Sequence, residues 1–258
     1  MTTAKRYRRS KRKLRRNAAH PKALARRIKR LGKKPAGQFA DLSSNNGLKT
    51  QADFDRYAKN GHNLVVIKAT EGISYTNPEF AEQVRMAKRA GLIVMAYHFA
   101  KPGEGTAKAQ AEHFVHTCKS AGMHCGRRRR FWFMRDELPG CLDYEVEGGH
   151  DEAFIQTFKK RYRALTDHNA GRKRNRLAPD AGPVLYGGSV IRETCHGTIN
   201  LLFWLAAYVS SPGAYWPAVI PRENHWSWQY GDDVDLGFGP ADASRYFGSI
   251  RDLIRLAI

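Results

Sequence analysis

"CLDYEVEGG", residues 141–149, sets acids at every second position, Asp143, Glu145 and Glu147, and fills the gaps with Leu142, Tyr144 and Val146. Alternate side chains of a strand point to opposite faces, so the three apolar residues can pack beneath helices while Asp143 and Glu145 face the other way. Two inward carboxylates are costly unless they are solvated, paired or used in chemistry. If the strand ends near Glu145, both acids lie at the C-terminal mouth of a barrel, where such folds place catalytic groups. Glu147 falls in the loop opened by Gly148 and Gly149 and reads as a surface acid.

Working outward, short apolar runs alternate with amphipathic stretches, the pattern of an α/β protein with a mostly parallel sheet. Strands are expected at 38–44 (QFADLSS), 64–70, 92–100, 140–145, 183–188, 201–209, 225–231 and 234–239 (VDLGFG). About eight strands suit a closed barrel. Helices are expected over 78–91, which starts at Pro78 and stops at Gly91, over 151–169 through Phe154, Phe158, Tyr162 and Leu165, and over 241–257 through Tyr246, Ile250, Leu253 and Ala257. The Pro-rich loop 210–224, and only Asp232 and Asp233 between the last two strands, make the second half irregular. The expected fold is therefore a modified TIM-like (β/α) barrel with eight strands and fewer than eight helices. Residues 126–140 (GRRRRFWFMRDELPG) read as an inserted strand or hairpin, an aromatic anchor with a solvated basic flank.

A chain of 258 residues with 42% hydrophobic content supports one sizeable core, assigned to 38–258. Its net charge of +20 is unevenly placed: sixteen of the 44 Lys and Arg residues stand in the first 36 positions, which hold no acid, so 28 bases face 24 acids over the rest. Residues 1–37 read as a largely disordered basic tail, with Leu24, Ile28 and Leu31 spaced for a short helix apolar on one side. Such a tail attracts polyanions: anionic cell-envelope polymers or a membrane surface first, nucleic acid less. It lacks the apolar stretch of a secretory signal, and no later run is apolar enough to span a bilayer. The expected location is thus the cytoplasm of the producing cell, which a phage would infect, with action at the wall after release. Cys118, Cys125, Cys141 and Cys195 are too scattered for a disulfide framework or paired zinc ligands and read as reduced thiols.

Other expected strand ends carry similar chemistry: Asp41, Glu71, His98 and Asp235. Singly, a strand-end Asp caps a helix and His98 on an apolar strand is a satisfied core histidine; together they can converge on one mouth. Tyr97, Tyr186, Trp204, Tyr208, Trp226, Trp228 and Tyr230 supply flat rings with polar tips, suited to the apolar face and hydroxyls of a pyranose. Carboxylates with aromatic walls, and neither a Gly-rich phosphate loop nor a metal-ligand cluster, point to glycoside hydrolysis without metal or cofactor.

The segments DLSSNNG, VVIKATEGISYTNPEF, AGLIVMAYHFA with AQAEHF, LDYE, VLYGG, FWLAAY, WSWQYG and VDLGFG run in order over residues 38–250. In this the chain resembles the glycoside hydrolase family 25 lysozymes, muramidases of bacteriophage endolysins and bacterial autolysins. The resemblance implies the barrel above and cleavage of the β-1,4 bond between N-acetylmuramic acid and N-acetylglucosamine in peptidoglycan. It implies Glu145 as general acid, Asp143 as stabiliser of the oxocarbenium-like centre or orienter of substrate, and Asp41 and Asp235 as completing the acidic cluster. Glu71, Tyr97, His98, Tyr186, Trp204, Tyr208, Gln229 and Tyr230 are the expected groove residues, and a monomer acting on bacterial peptidoglycan the expected state. Gly237 stands where many relatives have Asn. The competing readings are a non-lytic sugar-binding or virion structural protein with a polyanion-binding tail, and a hydrolase of another polysaccharide such as chitin.

Overall fold

Strands form where the apolar runs fall. The computed structural model describes residues 35–44, 48–125, 136–145, 152–166, 182–188, 201–208 and 225–249. The strands are β1 (Pro35–Leu42), β2 (Leu64–Glu71), β3 (Tyr75–Thr76), β4 (Ile93–Phe99), β5 (Cys141–Asp143), β6 (Val184–Gly187), β7 (Phe203–Ala206), β8 (His225–Asp235) and β9 (Pro240–Ser249). The helices are α1 (Gln51–Lys59), α2 (Phe80–Arg89), α3 (Ala107–Ser120) and α4 (Glu152–Thr166). Pairing runs β1–β2–β4–β5–β6–β7–β8 in parallel, and β9 closes the ring antiparallel to both β8 and β1. The result is an eight-stranded mixed barrel, with β3 hairpinned onto the outside edge of β2.

Strand alternation sorts the core into two layers. Phe39, Leu64, Val66, Ile93, Met95, Cys141, Val184, Trp204, Trp226 and Tyr246 fill the barrel interior. Val65, Ile67, Ala69, Val94, Ala96, Leu142, Tyr144 and Leu185 face outward to Phe54, Val84, Phe114, Phe158 and Tyr162 of the helices. Leu142 and Tyr144 thus lie under helices as expected, whereas Val146 and Glu147 fall outside the described residues. The expected helices at 78–91 and 151–169 form as α2 and α4, with Phe80, Val84 and Ala87, and Phe154, Phe158 and Tyr162, buried. Two further helices have polar starts instead. Thr50 and Asp53 make a reciprocal capping box on α1, and Thr106 caps α3 through the Ala109 N–H at 3.1 Å.

Two expectations at the C-terminal end are corrected. Residues 225–231 and 234–239 do not form separate strands: β8 runs through Asp232 and Asp233 to Asp235, and 236–239 make the turn. The expected helix at 241–257 is strand β9 as far as Ser249, and residues beyond it are not described. Helical spacing of the apolar residues was real, but β1 and β8 would each keep an unpaired edge without β9, so closure overrides the local pattern.

The tail up to residue 34 and residues 126–135 of the expected insertion lie outside the described residues. Pro35–Gly37 already belong to β1. The segment that returns from the insertion is held by Glu137, which is buried, pairs with Lys88 and accepts the His124 N–H at 2.6 Å. Cys118, Cys125 and Cys141 are free and buried, and burial raises the Cys118 and Cys141 thiols well above their usual range.

Candidate active site

β5 ends at Asp143. Its ladder continues one residue past the strand, with the Tyr144 N–H donating to the Tyr186 carbonyl at 3.1 Å and the Ala100 N–H to the Asp143 carbonyl at 2.8 Å. That fixes Asp143 facing into the barrel, 7% exposed, and releases Glu145 into the open mouth. Asp143 hydrogen-bonds Glu145, and its Oδ1 is buried with no hydrogen-bond partner among the described residues. Burial, then the charges of Glu145 and Asp41, push the Asp143 carboxyl well above the usual range, against the opposing charge of Lys68.

Across the barrel, Asp41 in β1 stands directly opposite Asp242 in β9. Facing carboxylates repel unless they share a proton. Asp41 is the more buried of the two: burial and the Asp242 charge raise its pKa well above the carboxylate range, and it hydrogen-bonds Asp242. Asp242 is raised too, chiefly by burial, although the Asp41 hydrogen bond works the other way. Of the two, Asp41 is the carboxyl held further toward its protonated form. Gln229 Nε2 donates to Asp41 Oδ2 at 3.1 Å, and Gln229 Oε1 accepts from Tyr186 at 2.5 Å and Tyr208 at 3.1 Å. These bonds fix the amide's orientation, so one chain of contacts runs from two tyrosines through Gln229 to the acid pair.

Tyr97 points inward beneath the acids, and burial followed by the nearby Asp41 and Asp143 charges raises its phenol. Trp204 walls the interior, edge-on to Tyr186 at 4.7 Å and anchored by Nε1 donating to Ser244 at 2.9 Å. Tyr208 is 58% exposed at the rim. Glu71 sits at the β2 end of the mouth between Lys68 at 2.5 Å and Lys101 at 2.6 Å; despite a burial penalty, these hydrogen bonds hold its carboxyl below the usual range.

Three expected site residues are elsewhere. Asp235 is exposed in the β8–β9 turn, where its carboxylate accepts the Gly237 and Gly239 N–H groups at 2.7 and 3.1 Å. Both glycines have positive φ, 92° and 107°, which the turn needs. That turn packs outward on α1, with Phe238 5.5 Å from Tyr57. His98 faces the helix layer, bonded to Thr70 at 2.8 Å and Gln110 at 2.9 Å between Phe114 and Phe158. Tyr230 also faces outward, taking a hydrogen bond from Gln38 at 2.5 Å. The residue missed is Asp242. Its signal was period-two alternation in "ADASRYF", with Ala241 and Ala243 outward and Asp242, Ser244 and Tyr246 inward.

Burial pushes the His98 imidazole down to about 4, so it is neutral in the folded protein. The unfolded chain takes up that proton below pH about 6.5, so the stability His98 supports is complete above that pH and is lost as pH falls to about 4. The loss is about 3 kcal/mol. In urea unfolding, wild type and His98→Gln are expected to differ most at pH 7 and to converge by that amount at pH 4; a constant gap would contradict it.

A mixed eight-stranded barrel with paired carboxyl groups and aromatic walls at one mouth defines a carbohydrate-cleaving enzyme class. The chain belongs to glycosyl hydrolases family 25, whose family model matches residues 40–237. It is 34% identical over 205 residues to the N,O-diacetylmuramidase of Chalaropsis sp, covering 70% of this chain and 86% of that protein. Lysozyme M1 of Streptomyces globisporus is 29% identical over 213 residues, 76% of this chain and 64% of that protein. Among solved structures, the bacterial lysozyme from Streptomyces coelicolor superposes with TM-score 0.64 at 27% identity, covering 85% of this chain and 96% of that one. The family match ends before β9, so it is the geometry that brings in Asp242.

Proposed function

We propose that the protein is a lysozyme of the N-acetylmuramidase type, hydrolysing the β-1,4 bond between N-acetylmuramic acid and N-acetylglucosamine in bacterial peptidoglycan. The observation that carries this is the convergence of Asp41, Asp143, Glu145 and Asp242 at one barrel mouth. Glu145, the exposed member, reaches the glycosidic oxygen and protonates it as the bond breaks. Asp143, held toward its protonated form by burial and hydrogen-bonded to Glu145, is the neighbouring source of that proton. When Glu145 carries it, Asp143 is left as a buried carboxylate with Oδ1 free to face the oxocarbenium-like centre or a substrate N–H. Trp204 and the tyrosines Tyr97, Tyr186 and Tyr208 form the walls against which sugar rings lie.

The test is digestion of purified peptidoglycan with mass spectrometry of the products. New reducing ends on N-acetylmuramic acid are expected. Reducing N-acetylglucosamine ends, new peptide or amine ends, or intact walls beside cleaved chitin oligomers would each overturn the reading. The sixteen bases before Pro35 support attraction to anionic envelope polymers, and a role as a phage-type lytic enzyme acting after release from the producing cell fits that charge. Among the described residues no helix is long and apolar enough to cross a membrane.

A further inference from the structure

The sequence motif KATEG contributed Glu71 to the expected groove, yet the side chain that β2 sends into the barrel is Lys68. It continues the inward series Leu64 and Val66, and its side chain is only 16% exposed. Its ammonium lies 4.8 Å from the centre of the Phe99 ring and 5.7 Å from that of Tyr75, while Glu71 takes it at 2.5 Å. Phe99 is the register partner of Asp143 on the neighbouring strand. A desolvated ammonium held by a carboxylate and two ring faces is fixed in place rather than sweeping through solvent.

We propose that Lys68 is a positioning residue of the reaction, a fixed positive charge beside Asp143 that governs how readily the Asp143 carboxyl gives up its proton, with Glu71 as its anchor. The assignment of Asp143 and Glu145 to catalysis rests on the function proposed above. The groups facing Asp143 are Glu145 beyond its own strand, Cys141 on it, Tyr97 from β4, Tyr186 from β6, Asp41 from β1 with Asp242 behind it from β9, and Lys68 from β2. Of these Lys68 is the cation. Burial and the acids around Asp143 favour its protonated form, and unopposed they would hold the proton too tightly for transfer at neutral pH. Lys68 acts against them, and its charge lowers the proton affinity of Asp143. Glu71 therefore serves the site through Lys68, which shares its carboxylate with Lys101.

The experiment compares wild type with Lys68→Met, Lys68→Arg and Glu71→Gln, reading the alkaline limb of kcat/KM on cell walls and, separately, the titration of the Asp143 carboxyl by carbon NMR. Lys68→Met is expected to move both midpoints up by about one pH unit, and Lys68→Arg to leave them near wild type. Glu71→Gln, which leaves the ammonium unneutralised, is expected to move them down. A uniform loss of rate with unmoved midpoints, or the same direction of shift in Lys68→Met and Glu71→Gln, would overturn the proposal. Should Lys68→Met not fold, the downward shift in Glu71→Gln decides alone. Because the NMR titration needs no turnover, absence of glycosidic cleavage by wild type would reject the proposed function while the role of Lys68 is still tested.

Discussion

Glu145→Gln is expected to slow wall clearing by about 10² to 10⁴-fold, the range general acid catalysis contributes, with thermal stability and wall binding close to wild type. The amide keeps the shape of the carboxyl and can still hydrogen-bond Asp143, so packing has no reason to change. What it loses is a proton that can be passed on. Glu145 lies exposed past the end of β5, outside both core layers, so a loss of folding would be unexplained. Turbidity assays on purified walls, with circular dichroism as the control for fold, measure both. Clearing at the wild-type rate would remove Glu145 from the acid role.

The second large effect separates Asp235, which the sequence placed in the acidic cluster, from Asp242, which it did not. Asp242→Asn is expected to cut kcat by about tenfold or more, because the amide oxygen can still accept a hydrogen bond from Asp41 but no longer supplies the negative charge that holds the Asp41 carboxyl toward its protonated form. Asp41 would then titrate differently, and Gln229 with its two tyrosines would lose the partner geometry they hold. Asp235→Asn is expected to leave kcat within about twofold, since an exposed carboxylate bonded to backbone N–H groups of its own turn contributes locally. Equal losses in the two variants would mean the hairpin reaches the mouth, contrary to the packing of Phe238 on Tyr57.

The central strands were legible because their alternation and their burial agree. Leu142 and Tyr144 go under the helices and Asp143 goes inward, as period two requires. His98 shows the limit of that reasoning: it occupies a strand end with the right chemistry but the wrong parity, on the same face as Val94 and Ala96. Counting from Tyr97, which faces inward, would have put it among the helices. Tyr230 fails similarly, because register shifts in β8 displace its alternation from the neighbouring strand. β9 was hidden for a different reason. Its residues satisfy a helical stripe locally, and only the open edges of β1 and β8, which are tertiary facts, make a strand the better answer.

The closure of the barrel by β9 also bears on when the enzyme becomes an enzyme. Asp41 lies in β1 and its partner Asp242 in β9, the first and last strands among the described residues, so the acid pair joins distant parts of the sequence. Closing a ring between distant parts of a chain is a late step in folding, since the intervening loop must be ordered first. A partly synthesised molecule can carry Asp143 and Glu145 and still lack the opposite wall of the mouth. A chain that stops before Pro240 is therefore expected to carry Asp143 and Glu145 without Asp242 or the closing strand.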